Sequence, residues 1–218
     1  MDYAATRKNM VDGQILPNRV TDPLVIDAMY AVPREAFVPK HLQSIAYVDE
    51  ALALGKGRYL VEPIILARLF QAAEISQTDV VLDIGAGTGY ASAILAKIAA
   101  TVVSLESDKG LAESASATLS NQGIDNAVVI EGDLAKGYAE QGPYDVIFIN
   151  GAVGEIPESI LKQLADGGRL ITVTEGKEAV GSAILVVRDG ESFARRELFD
   201  AGTPILPGFE AKRPEFIF

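Results

Sequence analysis

Five short apolar runs, separated by segments of helical character, constrain the fold of this chain more than any other feature. They read VVLDI (80–84), TVVSLE (101–106), NAVVIEG (126–132), YDVIFIN (144–150) and GRLITVT (168–174). Each run is rich in β-branched residues, and its apolar residues are nearly continuous rather than alternating. Such strands are typical of a parallel sheet that is covered on both faces. The chain from residue 76 onward is therefore predicted to form a doubly wound, Rossmann-like α/β sheet.

The segments on either side of these runs have a different character. Residues 1–75 show helical periodicity broken by prolines, with one helix expected after Asp22-Pro23 and another opening at Pro63. Near the other end, AILVVRDG (183–190) predicts a hairpin strand at one edge of the sheet. The expected architecture is a mostly parallel sheet with an antiparallel C-terminal edge, preceded by an N-terminal helical region. We expect residues 1–218 to form one domain, with 76–218 as its cofactor-binding core.

Composition excludes several classes of function. The formal net charge is −11 and no run of Lys or Arg is present, which argues against nucleic acid or anionic lipid as a partner. The chain has no cysteine and one histidine, His41, which is expected at the surface, so no metal site is predicted. No apolar run reaches membrane-spanning length and the N-terminus lacks the apolar core of a signal peptide, so we expect a cytoplasmic protein.

Acidic and glycine residues follow the first three strands. The first strand ends in Asp83 and continues into Gly85-Ala86-Gly87-Thr88-Gly89, the second ends in Glu106, and the third ends in Gly132-Asp133. In an open α/β sheet, ligands bind beyond the carboxyl ends of the strands. We therefore expect the three carboxylates to converge on one crevice. For any one of these residues taken alone, shaping a turn or capping a helix is the alternative.

The spacing and charge of these residues discriminate between cofactors. Glycines that permit close backbone approach, with a carboxylate about twenty residues further on for ribose hydroxyls, suit either NAD or S-adenosylmethionine. The dinucleotide fingerprint is G-x-G-x-x-G, however, whereas this loop is G-x-G-x-G, and Asp83 would repel a pyrophosphate. S-adenosylmethionine carries a sulfonium and an ammonium group, which acidic side chains favour. The sequence thus predicts S-adenosylmethionine, with Asp133 accepting from the adenine amino group.

The chain resembles the protein-L-isoaspartate O-methyltransferase family over nearly its whole length. The resemblance lies in VLDIGAGTGYASAILA, VVSLES, GDLAKGY, PYDVIFINGAV and LKQLADGGRLI, and ahead of them in VIDAMYAVPREAFVP and AYVDEALALGKGRYLVEP. It implies a seven-stranded methyltransferase sheet and methylation of L-isoaspartyl carboxylates in damaged proteins, with S-adenosylhomocysteine as product. It also implies that Asp83 and the loop glycines line the methionine end of the cofactor, Glu106 the ribose, and Asp133 with Leu134 the adenine. The full set of cofactor candidates is Asp83, Gly85, Ala86, Gly87, Gly89, Glu106, Ser107, Gly132, Asp133, Leu134 and Asn150.

The chain departs from the family on the acceptor side. Where the family usually has G-Q-T-I-S-Q-P, this chain has Gly57-Arg58-Tyr59-Leu60-Val61-Glu62-Pro63, so Arg58, Tyr59 and Val61 replace a glutamine, a threonine and a serine. A carboxylate acceptor is ionised at neutral pH and needs no general base, so the serine would serve to orient it. Arg58 could supply a bidentate contact instead. The acceptor-side candidates are Arg58, Tyr59, Val61 and Asn150.

Three functional hypotheses follow from this sequence. The first is a carboxyl methyltransferase acting on L-isoaspartyl sites, the second a methyltransferase of the same scaffold with another acceptor, and the third a cofactor-binding homologue without isoaspartyl activity. A dehydrogenase is a distant fourth. The tail PILPGFEAKRPEFIF (204–218) is expected to pack back on the sheet, with a pocket wall or a subunit contact as alternatives.

Overall fold

The computed structural model describes residues 1–176 and 180–211, and it contains the predicted sheet. The strands are β1 (Leu52–Gly55), β2 (Arg58–Leu60), β3 (Val80–Ile84), β4 (Thr101–Glu106), β5 (Ala127–Glu131), β6 (Tyr144–Val153), β7 (Leu164–Thr174), β8 (Ser182–Asp189) and β9 (Ser192–Asp200). The α-helices are α1 (Tyr3–Met10), α2 (Pro23–Ala31), α3 (Pro63–Ala72), α4 (Tyr90–Ile98), α5 (Lys109–Asn121) and α6 (Glu158–Leu161). Shorter helical turns are Val11–Ile15, Leu16–Asn18, Arg34–Phe37, Lys40–Ile45, Leu134–Lys136 and Ala139–Gln141.

Seven strands form the main sheet in the order β5-β4-β3-β6-β7-β8-β9. The first five in this order pair in parallel, while β8 pairs antiparallel with both β7 and β9. This confirms the predicted fold class, including the antiparallel C-terminal edge. The strand order reverses between β3 and β6, which places the topological switch point at the carboxyl ends of these two strands.

Successive residues of the central strands are buried on opposite faces of the sheet. Val81 and Phe148 belong to one apolar cluster, which also takes in the N-terminal helices, whereas Leu82 and Ile147 belong to a second cluster with α6. On the first side, the rings of Phe70 and Phe148 meet edge to face with centroids 5.1 Å apart. Burial on both faces explains why the apolar runs are continuous rather than alternating.

The predicted helix starts at Pro23 and Pro63 are confirmed, the first of them with a side-chain cap. The Asp22 carboxylate accepts from the backbone N–H of Leu24 at 2.9 Å, and Pro23 stands at the first helical position of α2. Pro63 likewise opens α3. Ahead of the main sheet, however, β1 and β2 form an antiparallel hairpin within residues 1–75, where only helices were expected.

Two strands are longer than predicted, each for a local reason. β7 begins at Leu164 because this residue already pairs with Tyr144, and the register then shifts before Arg169 pairs with Val146. β6 runs on to Val153 because its pairing with β7 resumes at Ala152 and Val153, and Ile205 forms a further bridge with Ala152. The backbone N–H of Ala152 donates to the Pro204 carbonyl and that of Leu206 to the Ala152 carbonyl, both at 2.9 Å. The tail thus packs on the sheet as far as residue 211, and residues 212–218 lie outside the described part.

Candidate cofactor site at the switch point

The glycine loop connects β3 to α4 in a conformation that L side chains rarely adopt. Gly85, Gly87 and Gly89 have φ values of 86°, 57° and 92°. The backbone N–H groups of Gly85 and Ala86 both donate to the Leu105 carbonyl of β4, at 2.8 and 3.1 Å. The loop is thereby fixed against the end of the neighbouring strand. Thr88 does not cap α4; its hydroxyl donates to the Phe37 carbonyl and ties the loop to the N-terminal region.

Asp83 is a fully buried carboxylate beneath this loop. Its Oδ2 accepts from the Ser92 hydroxyl at 2.6 Å, while Oδ1 has no hydrogen-bond partner among the described residues. Burial raises the pKa of Asp83 to about 7, with a further contribution from the Glu106 charge, and the Ser92 and Asn150 side chains act in the opposite direction. A buried carboxylate with a free oxygen suits a cationic ligand group.

Glu106 is also fully buried, and its carboxylate accepts several hydrogen bonds. Oε1 accepts from the backbone N–H groups of Ser107 at 2.7 Å and Asp108 at 2.9 Å, and Oε2 from that of Gly87 at 2.9 Å. The Arg58 Nε lies 3.1 Å from both oxygens. The predicted ribose ligand is therefore in a buried ion pair with a residue that was considered for the acceptor side.

Arg58 reaches Glu106 from the β1–β2 hairpin. Its side chain is only 4% exposed, its Nη2 donates to the Ser107 hydroxyl at 2.8 Å, and its Nη1 has no partner in the described part of the chain. Arg58 therefore points toward the ribose candidates rather than into solvent, and a bidentate contact to a methyl acceptor would require the Glu106 pair to break.

Residues near the end of β5 form the outer part of the site. Asp133 caps the short helical turn after it, accepting from the Ala135 N–H at 3.1 Å, and also pairs with Lys136 at 3.3 Å. Its side chain is 53% exposed, in contrast to the buried Asp83 and Glu106. Gly132 donates its N–H to the Glu106 carbonyl at 3.0 Å, and Leu134 is buried. The carboxyl ends of the three strands do meet at one edge of the sheet. Of the three predicted carboxylates, however, only Asp83 and Glu106 are buried in the site, and Asp133 lies at its surface.

The remaining acceptor-side candidates are dispersed. Tyr59 is 38% exposed on the hairpin, whereas Val61 is 4% exposed and its carbonyl accepts from Arg34 Nη2 at 2.9 Å. Asn150 is buried within β6, three residues before its end, beside Asp83. Only Asn150 thus lies with the cofactor candidates, while Val61 is enclosed by the N-terminal region.

Side chains from two other segments lie against the glycine loop. A Cβ built on Gly85 would be 2.7 Å from Leu206 Cδ1, and one on Gly87 would be 3.0 Å from Leu54 Cδ1. Leu206 belongs to the segment paired with β6, and Leu54 to the hairpin that carries Arg58. These contacts could not be predicted from the motifs, because they join residues far apart in the sequence. The only local signal was the unusual arginine within AYVDEALALGKGRYLVEP.

The residues present suit S-adenosylmethionine best at its methionine end. The orphaned Asp83 Oδ1 matches an ammonium group, and the loop glycines contribute no Cβ of their own, although Leu206 and Leu54 lie against Gly85 and Gly87. At the ribose end, the Glu106 oxygens that would accept from hydroxyls already accept from Arg58.

Other kinds of site lack support in the described ranges. Within residues 1–176 and 180–211, no group of three or more His, Asp or Glu side chains is placed to hold a metal ion. In the same ranges, no helix combines the length and apolar character needed to cross a bilayer. His41 is exposed, as predicted.

The sheet order and the strand-end carboxylates define a Rossmann-like methyltransferase of the seven-stranded class. The family model for protein-L-isoaspartate(D-aspartate) O-methyltransferase matches residues 5–195. The chain belongs to that family.

Known proteins similar to this chain agree with the assignment. A protein-L-isoaspartate O-methyltransferase of Methanoregula boonei is 40% identical over 192 residues, covering 88% of each chain. Protein-L-isoaspartate O-methyltransferase 1 of Rhodopseudomonas palustris is 38% identical over 195 residues, 89% of this chain and 80% of the relative. A solved protein-L-isoaspartate O-methyltransferase superposes with a TM-score of 0.82 at 26% identity, covering 94% of this chain and 67% of the other.

Proposed function

We propose that this protein is an S-adenosylmethionine-dependent carboxyl O-methyltransferase that acts on L-isoaspartyl residues of damaged proteins. The observation that carries the proposal is the pair of buried carboxylates, Asp83 and Glu106, at the ends of adjacent strands around the glycine loop. In a member of this family, two acids held there favour a cationic cofactor over a pyrophosphate.

When bound, S-adenosylmethionine supplies a methyl group activated by its sulfonium. Asp83 would hold the ammonium end of the cofactor through its free Oδ1, with Ser92 fixing the other oxygen. Glu106 and Ser107 would serve the ribose, and Gly132, Asp133 and Leu134 the adenine. The glycine loop, fixed to β4, would set the height of the cofactor above the sheet.

The acceptor carboxylate is ionised at neutral pH, because the reference pKa of such a group is near 4. The protein therefore has to position it rather than deprotonate it. We propose a protein or peptide as the partner, and residues 1–218 as one functional domain. One apolar cluster draws on both the N-terminal region and the main sheet, which supports treating them as a unit.

A methyltransferase with a different acceptor is the second candidate. Val61 is buried and has no hydroxyl, and Tyr59 is half exposed beside it on the hairpin. Together they change the shape and polarity of the region where the family has a serine and a threonine. This observation favours an acceptor other than an isoaspartyl carboxylate if the hydroxyl is essential.

Labelled cofactor and paired peptides test the proposal. The protein is incubated with S-adenosylmethionine labelled in its methyl group and with an isoaspartyl peptide or its aspartyl twin. Base-labile label on the isoaspartyl peptide alone is expected, since a methyl ester hydrolyses in base. Label on neither peptide, in a protein that binds S-adenosylhomocysteine, would refute the isoaspartyl assignment and favour the second candidate.

Val61→Ser tests the missing hydroxyl directly. If an acceptor contact at this position matters in the transition state, the variant should methylate the isoaspartyl peptide about ten times faster or more. Val128→Ser, at an exposed valine of β5, is the matched control and should leave the rate unchanged. A Val61→Ser rate equal to that of the control would show that the hydroxyl is not the limiting feature.

A further inference from the structure

We infer that Arg58 closes the ribose side of the cofactor site, so that the cofactor binds only after the Arg58–Glu106 pair has opened. The inference rests on the proposed function and adds to it how access to the site is controlled. It concerns the hairpin β1–β2 and the turn Gly55-Lys56-Gly57 that joins its strands.

Hydrogen-bond donors of the protein already occupy the Glu106 carboxylate. Its two oxygens accept from three backbone N–H groups and, at 3.1 Å each, from Arg58 Nε. A carboxylate offers about four lone-pair positions. Ribose hydroxyls would therefore have to replace the arginine, because the backbone donors are fixed by the loop and by the start of α5.

Glu106 keeps its hydrogen bonds from the backbone when Arg58 leaves. The N–H groups of Gly87, Ser107 and Asp108 still donate to the carboxylate, so opening the pair removes the guanidinium charge but leaves Glu106 hydrogen-bonded. Arg58 makes fewer hydrogen bonds, because its Nη1 has no partner within the described residues, where Glu106 is also its one ionic partner. The Arg58–Glu106 ion pair is thus suited to replacement by hydrogen bonds from ribose hydroxyls to Glu106.

The hairpin covers the loop as one unit. Leu54 of β1 contacts the glycine loop at Gly87, and Arg58 of β2 reaches Glu106. The turn between the strands has φ values of 95°, 55° and 71°, and its Gly57 lies against Pro207. Moving the hairpin outward would withdraw both Leu54 and Arg58 from the site.

The closed Arg58–Glu106 pair lowers the apparent affinity of the protein for its cofactor. When the competent state is a fraction of the population, the apparent dissociation constant is the intrinsic value divided by that fraction. Arg58→Gln, which restores the residue usual in the family, removes the charge that holds the hairpin closed. We expect it to bind S-adenosylhomocysteine at least tenfold more tightly than the wild type in titration calorimetry.

Arg169→Gln is the matched control. Arg169 of β7 also pairs with a carboxylate, Asp79, and donates to the Ala73 carbonyl at 2.9 Å. Asp79 directly precedes β3, so this ion pair lies at the end of the strand opposite to the site. This variant should leave the affinity unchanged. If Arg58→Gln binds no more tightly than the wild type, the closure is wrong while the proposed function stands. If S-adenosylhomocysteine binds to neither protein, both fail.

A second measurement is made on the wild-type protein, and a variant serves only to assign the signal. In ligand-free wild-type protein, the Arg58 Nε–Hε group should give a cross peak protected from exchange, assigned by its loss in Arg58→Gln or Arg58→Lys. Saturation with S-adenosylhomocysteine should remove that protection. A cross peak that stays protected and unshifted in the saturated complex would overturn the inference.

Discussion

Ligand binding at Asp83 should release a proton, because this carboxylate is held partly neutral until a cation arrives. Burial raises its pKa to about 7. In the ligand-free protein it is therefore about nine-tenths protonated at pH 6 and about one-tenth at pH 8. The amino group of S-adenosylhomocysteine is expected to bind the ionised form at Oδ1. The apparent affinity should accordingly be about tenfold weaker at pH 6 than at pH 8.

Titration calorimetry in buffers of different ionisation enthalpy measures this linkage. Binding at pH 6 should release about 0.9 proton, and binding at pH 8 about 0.1. Asp83→Asn is the control: it keeps the shape of the side chain and an oxygen for the Ser92 hydroxyl. Its binding should be weaker and free of proton release. Wild-type affinity that is equal at pH 6 and pH 8, without proton release, would refute the role given to Asp83.

Three further predictions concern stability in urea. A carboxyl whose folded pKa lies above its unfolded value of 3.8 stabilises the folded state below pH 3.8 and loses that contribution as the pH rises to about 7. Wild-type protein should therefore lose about 3 kcal/mol more than Asp83→Asn between pH 5 and pH 8, and parallel profiles would contradict this. Phe148→Ala should lower the free energy of unfolding by about 3 to 5 kcal/mol, since it empties the edge-to-face contact with Phe70; a loss below 1 kcal/mol would show that the core refills. Gly85→Ala should cost about 1 to 3 kcal/mol, because φ is 86° and the new Cβ would meet Leu206; an unchanged midpoint would show that the loop relaxes.

The main sheet could be predicted from the sequence because its signals are local. Each central strand is a continuous apolar run, and Asp22 and Pro63 mark helix starts by their own chemistry. The carboxyl ends of parallel strands lie at one edge of the sheet, so the proximity of Asp83 and Glu106 could be predicted from the sequence alone. The family could be recognised for the same reason, because several of its sequence motifs lie at the ends of these strands.

The closing of the site could not be predicted, because it depends on distant pairings. Nothing local to Arg58 indicates Glu106, which lies 48 residues further along the chain. The burial of the hairpin residues alternates, but their polarity does not, because the buried position 58 is an arginine. The exposure of Asp133 follows from its local role as a cap, which competes with the role inferred from its position after β5. Val61 is buried, and its carbonyl accepts from Arg34 across 27 residues of sequence, a contact that no local pattern indicates.

The pairing of residues 204–206 with β6 makes the cover of the site separable from the sheet. All seven strands of the main sheet precede this segment in the chain. A chain shortened to residue 203 would therefore keep every strand while Gly85 and Gly151 lose Leu206 from against them. The base of the site and its cover thus belong to parts of the chain that truncation can divide.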